Sequence, residues 1–321
     1  MHTPIFRGAA TALITPMKPD GSIHYKAMEL LVDYQLSHGI DGLVVAGTTG
    51  EAPTLSKEEY QTLVTQVVQQ VKGAVPVIAG AGTNHTGHSI ELAASAWKCG
   101  ADALLCVTPY YNKTSQRGLI AHFNAIAEST PLPVILYNIP SRTGVNILPE
   151  TCLALSENPK ICAIKEAGVS LTQAQKTLSL CGDRLDLYSG NDDLLLPLLA
   201  VGAKGGISVL SNLLPQVIHQ LCWSFWQGNQ EESRALQMEY LELMEALFAD
   251  VNPIPVKQAL NWMGLKAGPC RSPLFPIEKA AKARLRRAME RHGLLSQRPF
   301  PLKKKTPSAV TGKRTGQVKI P

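Results

Sequence analysis

The sequence lacks a long apolar run. Its longest, residues 194–203, is interrupted by Pro197 and falls short of the 18 or so residues that a membrane span needs. It also lacks a cysteine pattern: seven cysteines are scattered through 321 residues with no CxxC. An odd, unpatterned set in a chain this long argues against a disulfide framework or a zinc site, and for reduced thiols in a cytosol. No signal peptide is expected, since Arg7 is followed in residues 8–16 by a stretch too short and too polar to be one. A dinucleotide fingerprint is missing too. Gly80-Ala81-Gly82 begins like one, but the next glycine, Gly87, comes too late, and the stretch reads as a strand-to-helix turn. What remains is 45% apolar and 17% charged, the composition of a folded chain, and long enough for a barrel-sized core.

Acidic residues are absent from one place. Residues 298–321 contain seven Lys and Arg and no Asp or Glu, so the first 297 residues carry 24 basic and 25 acidic residues. The net charge of +6 therefore belongs to a tail rich in Pro, Lys, Thr and Gly, which is expected to be disordered, and not to the body. A nucleic-acid footprint should colour a folded face as well, so neither a nucleic-acid partner nor a membrane is expected.

The body alternates. Short β-rich apolar runs recur at 10–14, 42–46, 75–79, 103–107, 134–138, 162–165, 185–189 and 206–209, each bounded by Gly, Pro, Asn or Asp. Amphipathic stretches lie between them. Residues 25–39 put Met28, Leu31, Val32 and Leu36 on one face and end on Gly39. Residues 56–72 open with Ser56 and Glu59, a capping box. Stretches 89–99, 115–129 and 170–181 read similarly. Eight such units predict an α/β fold, a (β/α)8 TIM barrel over residues 1–227, in preference to a doubly wound sheet. Helices at 213–227, 231–248, 255–263 and 276–291 follow the eighth strand. They complete the barrel and build a C-terminal all-helical extension over 228–297, before the tail at 298–321.

In such a barrel the active site lies at the C-terminal ends of the strands. The second strand ends in Gly47-Thr48-Thr49-Gly50-Glu51, where N–H and O–H groups can converge on a small anion, or where threonines merely cap a helix. The fourth ends in Thr108-Pro109-Tyr110-Tyr111-Asn112, tyrosines that act in the site, roof the barrel or pack at a subunit contact. The fifth carries Tyr137 at its end and Arg142 in the turn beyond, a fork suited to a carboxylate unless it is a plain surface arginine. Lys165 closes the apolar sixth strand. Burial disfavours a charged amine and frees it as a nucleophile, so Lys165 reads as a Schiff-base former. Pairing with Glu166 is discounted, because neighbours on a strand point to opposite faces. The seventh and eighth strands, at Gly190 and Gly205-Gly206-Ile207, let backbone approach a ligand closely. Asp192 and Asp193 read as N-caps of the helix that follows.

Taken in order, Gly47 to Glu51, Pro109 to Asn112, Tyr137 to Gly144, Ile164 to Glu166 and Asn252-Pro253-Ile254-Pro255-Val256-Lys257 resemble the pyruvate-dependent class I aldolases. This family holds dihydrodipicolinate synthase, N-acetylneuraminate lyase and 2-keto-3-deoxy-acid aldolases. The resemblance covers residues 6–294. Two threonines at 48 and 49, where the lyases tend to have Ser then Thr, and Arg142, which the lyases generally lack, favour the synthase branch. The resemblance implies a lyase of lysine and diaminopimelate biosynthesis in the cytoplasm, joining pyruvate to L-aspartate 4-semialdehyde through an imine on Lys165. It implies Tyr137 as acid–base, Thr48 and Tyr111 as a proton relay, and Tyr111 reaching in from a neighbouring subunit. Thr49 would hold the pyruvate carboxylate and Arg142 that of the semialdehyde, with the carbonyls of Gly190 and Ile207 nearby. No metal or organic cofactor is implied, and the expected assembly is a homotetramer, a dimer of dimers, with a dimer open. The alternative is another pyruvate aldolase acting on a 2-keto-3-deoxy sugar acid or N-acetylneuraminate. The resemblance also implies a site near the subunit contact at which lysine inhibits many relatives, and its places here hold Lys57, Tyr60, Asn84, His88 and Tyr110. A cation at Lys57 and an imidazole at His88 imply weak or absent inhibition. His85 and His88 have the spacing of a metal pair, though such loop pairs are mostly not ligands.

Overall fold

A computed structural model describes residues 3–295. The basic tail expected at 298–321, and the last two residues of the expected extension, lie outside the described residues. In chain order the elements are β1 (Gly8–Ala12), α1 (Tyr25–Ser37), β2 (Gly42–Val45), α2 (Lys57–Val71), β3 (Val77–Gly80), α3 (Thr86–Lys98) and β4 (Ala103–Val107). Then come α4 (Gln116–Glu128), β5 (Val134–Asn138), α5 (Pro140–Thr143), α6 (Pro149–Leu155), β6 (Ile161–Glu166), α7 (Leu171–Cys181), β7 (Asp186–Ser189), α8 (Leu195–Ala200), β8 (Gly205–Ser208) and α9 (Pro215–Trp226). The chain continues with α10 (Gln230–Glu239), α11 (Leu241–Ala246), α12 (Ile254–Trp262) and α13 (Lys279–Arg291). All eight strands are parallel and hydrogen-bonded in sequence order, and β1 pairs with β8 to close a barrel.

The strands read as continuous apolar runs because both of their faces are buried. Inward-facing Ala10, Val44, Ile78, Leu105, Ile135, Ala163 and Ile207 fill the barrel in one cluster with Tyr137 and Tyr188. The intervening Leu43, Val45, Leu104, Leu136, Ile164 and Leu187 pack outward under the helices. Tyr188 closes the floor: its ring stacks on Phe6 with centroids 4.2 Å apart, and its hydroxyl donates to the Phe6 carbonyl at 2.8 Å.

Local signals hold where they were strong. Ser56 Oγ accepts from the Glu59 N–H at 3.2 Å while Glu59 accepts from the Ser56 N–H at 3.0 Å, the capping box read from the sequence. Gly39, at φ 77°, ends α1. Residues 231–248, expected as one helix, form two, because Tyr240 leaves helical geometry (φ −96°, ψ 2°) and stacks its ring on His292. The extension has no core of its own. Leu243, Met244, Val256, Leu260, Leu285 and Met289 belong to the same apolar cluster as the barrel helices.

Candidate active site

The site begins with a register. β5 and β6 start with Val134 opposite Ile161, then shift by one residue so that Ile135 lies opposite Ala163. The extra residue, Cys162, is a bulge that puts Tyr137 beside Lys165 and Asn138 beside Glu166. Tyr137 and Lys165 therefore face inward together at the C-terminal rim. Lys165 is only 5% exposed, and its Nζ stands 4.4 Å from the centre of the Tyr137 ring. The ring contact is favourable to the amine's charge and burial is not, and among the described residues Lys165 is in no ion pair.

Glu166 faces outward, as strand parity required. It accepts from Asn138 Nδ2 at 3.1 and 2.9 Å, from the Gly168 N–H at 2.6 Å and from Gln173 at 3.3 Å. Burial raises its carboxyl above the usual range, against the pull of those donors. Asp192 corrects an expectation. It does not cap its own helix; its side chain crosses to the loop after β8 and accepts from the N–H groups of Val209 at 3.0 Å and Leu210 at 2.8 Å. Burial raises its carboxyl, opposed by those bonds, by Ser208 and by the positive charge of Lys165.

The loop after β2 turns on itself. Gly50 N–H and Ala52 N–H donate to the Gly47 carbonyl at 3.1 and 3.2 Å, and Glu51 N–H donates to the Thr48 carbonyl at 3.1 Å. The N–H groups of Thr48 and Thr49 stay outside these bonds, the arrangement an anion requires. The loop lies tight against β3: a Cβ on Gly80 would come within 2.0 Å of the Ala46 carbonyl oxygen, which explains the glycine that resembled a fingerprint. Gly190 is similarly forced, since a Cβ there would meet that of Ala167 at 2.6 Å.

A cavity of about 870 Å³ opens above the rim, with Thr48, Tyr110, Tyr111, Tyr137 and Arg142 in its wall. Thr49, Lys165, Gly190 and Ile207 do not border it; Lys165 meets it through the Tyr137 ring. The formal charges on the wall, Lys57, Lys113 and Arg142, are all positive, with His88 alongside and neither Asp nor Glu. Such a wall attracts carboxylate substrates. Lys57, Tyr60, Asn84, His88 and Tyr110 all border the cavity. Tyr60 is buried and its hydroxyl has no hydrogen-bond partner among the described residues. His85 caps α3, its Nδ1 accepting the His88 N–H at 3.3 Å, and among the described residues no cluster of three or more His, Cys, Asp or Glu could hold a metal.

Two features escaped the sequence reading. Asn252 was noticed only as part of a motif. Its Nδ2 donates to Thr49 Oγ1 at 2.9 Å and its carbonyl accepts from Arg142 at 3.1 Å, so one residue of the extension holds both expected carboxylate binders. Glu51 and Lys257, both fully buried, form an ion pair at 2.6 Å; Lys257 also donates to the Thr15 carbonyl at 3.0 Å, and the Arg271 N–H donates to Glu51 at 2.8 Å. Lys257 inside the apolar stretch at 254–260 was the available signal.

Proteins similar to this chain in sequence and in fold are known. The 4-hydroxy-tetrahydrodipicolinate synthase of Acetivibrio thermocellus is 46% identical over 295 residues, covering 92% of this chain and 100% of that one. That of Caldicellulosiruptor saccharolyticus is 47% identical over 291 residues, covering 91% and 98%. The crystal structure of dihydrodipicolinate synthase from Thermotoga maritima matches with a TM-score of 0.89 at 43% identity, covering 91% of this chain and 100% of that one. A dihydrodipicolinate synthase structure from Cyanidioschyzon merolae with lysine bound matches equally well, at 0.89 and 43%, covering 91% and 100%. A sequence model of the dihydrodipicolinate synthetase family matches residues 5–292, nearly all of the described fold, and the chain belongs to that family.

Proposed function

We propose that this enzyme is a 4-hydroxy-tetrahydrodipicolinate synthase, joining pyruvate to L-aspartate 4-semialdehyde in lysine and diaminopimelate biosynthesis. The observation that carries the reading is the inward pair of Lys165 and Tyr137, set side by side by the β5–β6 register at the rim of a closed barrel. The relatives' shared name gives the product, and membership of the family supports the two substrates. Lys165 Nζ attacks the ketone carbon of pyruvate, and loss of water leaves an imine. Loss of a proton from the methyl carbon gives the enamine, which adds to the aldehyde carbon of the semialdehyde. The semialdehyde's amine then attacks the imine carbon and displaces the Lys165 amine, closing the ring. Tyr137, beside the nitrogen, moves protons at that carbon, with Thr48 and Tyr111 linking it to solvent. Thr49 and the free N–H groups of its loop receive the pyruvate carboxylate, Arg142 receives that of the semialdehyde, and the carbonyls of Gly190 and Ile207 face the bound substrate. The imine nitrogen serves as electron sink, so the chemistry calls for no metal or organic cofactor.

Tyr111 is 92% exposed in its own chain, which supports a relay completed between subunits of a homotetramer or a dimer. The pathway supports a cytoplasmic location. Arg142 disfavours a sugar-acid substrate, whose hydroxyls would want different partners there. The test is turnover of the two substrates, coupled to reduction of the product, by wild type and Lys165→Ala. Turnover that falls by orders of magnitude in the variant is expected. A folded wild-type protein that turns over neither substrate would move the assignment to another aldol acceptor.

A further inference from the structure

Asn252 reaches the barrel rim from outside the barrel. It belongs to the helical extension, yet it borders a second cavity, of about 520 Å³, together with Arg142, with Ala167 two residues past Lys165 and with Asn191 one past Gly190. Its side chain is buried, and the two ends of the amide differ. Nδ2 donates to Thr49 Oγ1 at 2.9 Å, whereas Oδ1 is buried with no hydrogen-bond partner among the described residues. A buried carbonyl oxygen without a donor costs stability, and folded proteins satisfy nearly all such groups. A leucine has the same branched outline and no polar atom to strand. Packing alone therefore gives no reason for an amide at 252, and the reason lies at its Nδ2 end.

A threonine hydroxyl carries one proton to donate. Because Asn252 supplies the donor in its bond to Thr49 Oγ1, the threonine's own proton stays uncommitted. Taking pyruvate as the ligand of the Thr49 loop, as proposed above, we infer that Asn252 is a positioning residue that fixes the polarity of this bond, so that Thr49 presents its proton to the pyruvate carboxylate. An amide turned the other way, or a carboxylate in its place, would accept that proton and leave a lone pair facing the substrate's negative charge. The backbone carbonyl of Asn252 acts separately. It accepts from Arg142 at 3.1 Å, a bond that substitution of the side chain leaves in place. The side chain thus serves pyruvate and the main chain serves the clamp for the acceptor, so the two halves of the reaction separate at one residue.

The test begins with pyruvate alone. Cyanoborohydride reduces the imine on Lys165 to a stable secondary amine, and mass spectrometry of the full chain gives the trapped fraction against pyruvate concentration. Asn252→Leu should need roughly tenfold more pyruvate for half-trapping. Asn252→Asp, nearer in shape to the native residue, should need roughly tenfold more again, an order that a purely structural role would reverse. In a Thr49→Val background, Asn252→Leu should shift the pyruvate requirement by less than about twofold, since no hydroxyl is left to orient. In steady-state turnover of Asn252→Leu, kcat/KM should fall for pyruvate and stay within about twofold for the semialdehyde. Asn252→Leu should melt at or above the wild-type temperature, because no polar atom is then stranded. Should overpacking keep it from folding, Asn252→Ala is held to the same pyruvate criteria. Wild-type affinity in Asn252→Leu, an Asn252→Asp that binds pyruvate no more weakly than Asn252→Leu, or a full effect persisting in the Thr49→Val background would each overturn the inference and leave the aldolase reading standing. A folded wild type that traps no pyruvate would overturn both.

Discussion

At the scale of single residues, the cavity wall decides what the protein tolerates as a ligand. Lys57 and His88 put a cation and an imidazole on that wall, where an amine ligand would need an acceptor. With Lys113 and Arg142 on the same wall, no carboxylate of the described residues stands there to receive an ammonium group. Two like charges 4 Å apart cost about 1 kcal/mol in water and about 4 kcal/mol near a protein surface. L-lysine at sub-millimolar concentration should therefore leave turnover within about twofold of its uninhibited value, and full inhibition in that range would contradict the assignment of this wall. His122 makes a second residue-scale prediction. Its Nδ1 meets Thr86 Oγ1 at 2.9 Å, its Nε2 is buried without a partner among the described residues, and burial pushes its pKa from 6.5 down to about 4. Between those two values the unfolded chain binds a proton that the folded chain refuses, so this contribution falls as pH drops from 6.5 towards 4 and is flat above 6.5. His122→Asn keeps a partner for Thr86 and removes the titration. In urea melts, the stability gap between wild type and His122→Asn should narrow from pH 7 to pH 5; a gap constant over that range would mean that His122 does not titrate in this way.

At the scale of elements, the glycine loop after β2 is held from a distance. Glu51, itself in left-handed backbone at φ 57°, is gripped by Lys257 of α12 and by the Arg271 backbone, and Asn252, just before α12, grips Thr49. Removing one member of a buried pair strands the other and costs about 3 to 5 kcal/mol, whereas removing both can be close to neutral. Lys257→Met should thus lower the urea midpoint sharply, and Glu51→Gln/Lys257→Met should recover most of the loss. A double variant as unstable as the single would show that the pair is not the anchor. These contacts also mark what the sequence could and could not reveal. The strands were legible because barrel strands buried on both faces are apolar until their C-terminal ends, so Lys165, Tyr137 and the Thr48-Thr49 loop stood out as polar closures. The outward turn of Glu166 followed from parity alone. The bulge at Cys162 was not legible, since one extra residue in an apolar run leaves the composition unchanged. Nor was the reach of Asp192 across to Val209 and Leu210, or the Glu51–Lys257 pair, whose members lie 206 residues apart. No local pattern encodes partners that only the closed barrel brings together.

At the scale of the whole molecule, Tyr111 is the residue its own chain does not explain. It borders the cavity, holds a left-handed backbone at φ 67° and leaves 92% of its surface to water. A non-glycine residue in that region carries strain of order 1 to 3 kcal/mol, and structures keep such strain where function uses it. Insertion into a second subunit would bury the ring and give the strain a purpose, with each site then taking Lys165 from one chain and Tyr111 from its neighbour. That arrangement makes a prediction which no single-chain site can meet. Tyr111→Phe and Lys165→Ala should each be nearly inactive alone. Mixed in equal amounts and allowed to exchange subunits, they form hybrids in which one site has both wild-type side chains, the Lys165→Ala chain lending its Tyr111 to the other. Random pairing would restore about a quarter of the wild-type sites. Sizing chromatography at the assay concentration would show that the hybrids are assembled. Recovery near that level would establish that the site is shared. No recovery from mixtures that demonstrably exchange would place Tyr111 in its own chain's site, and would remove the reason for tying catalysis to assembly.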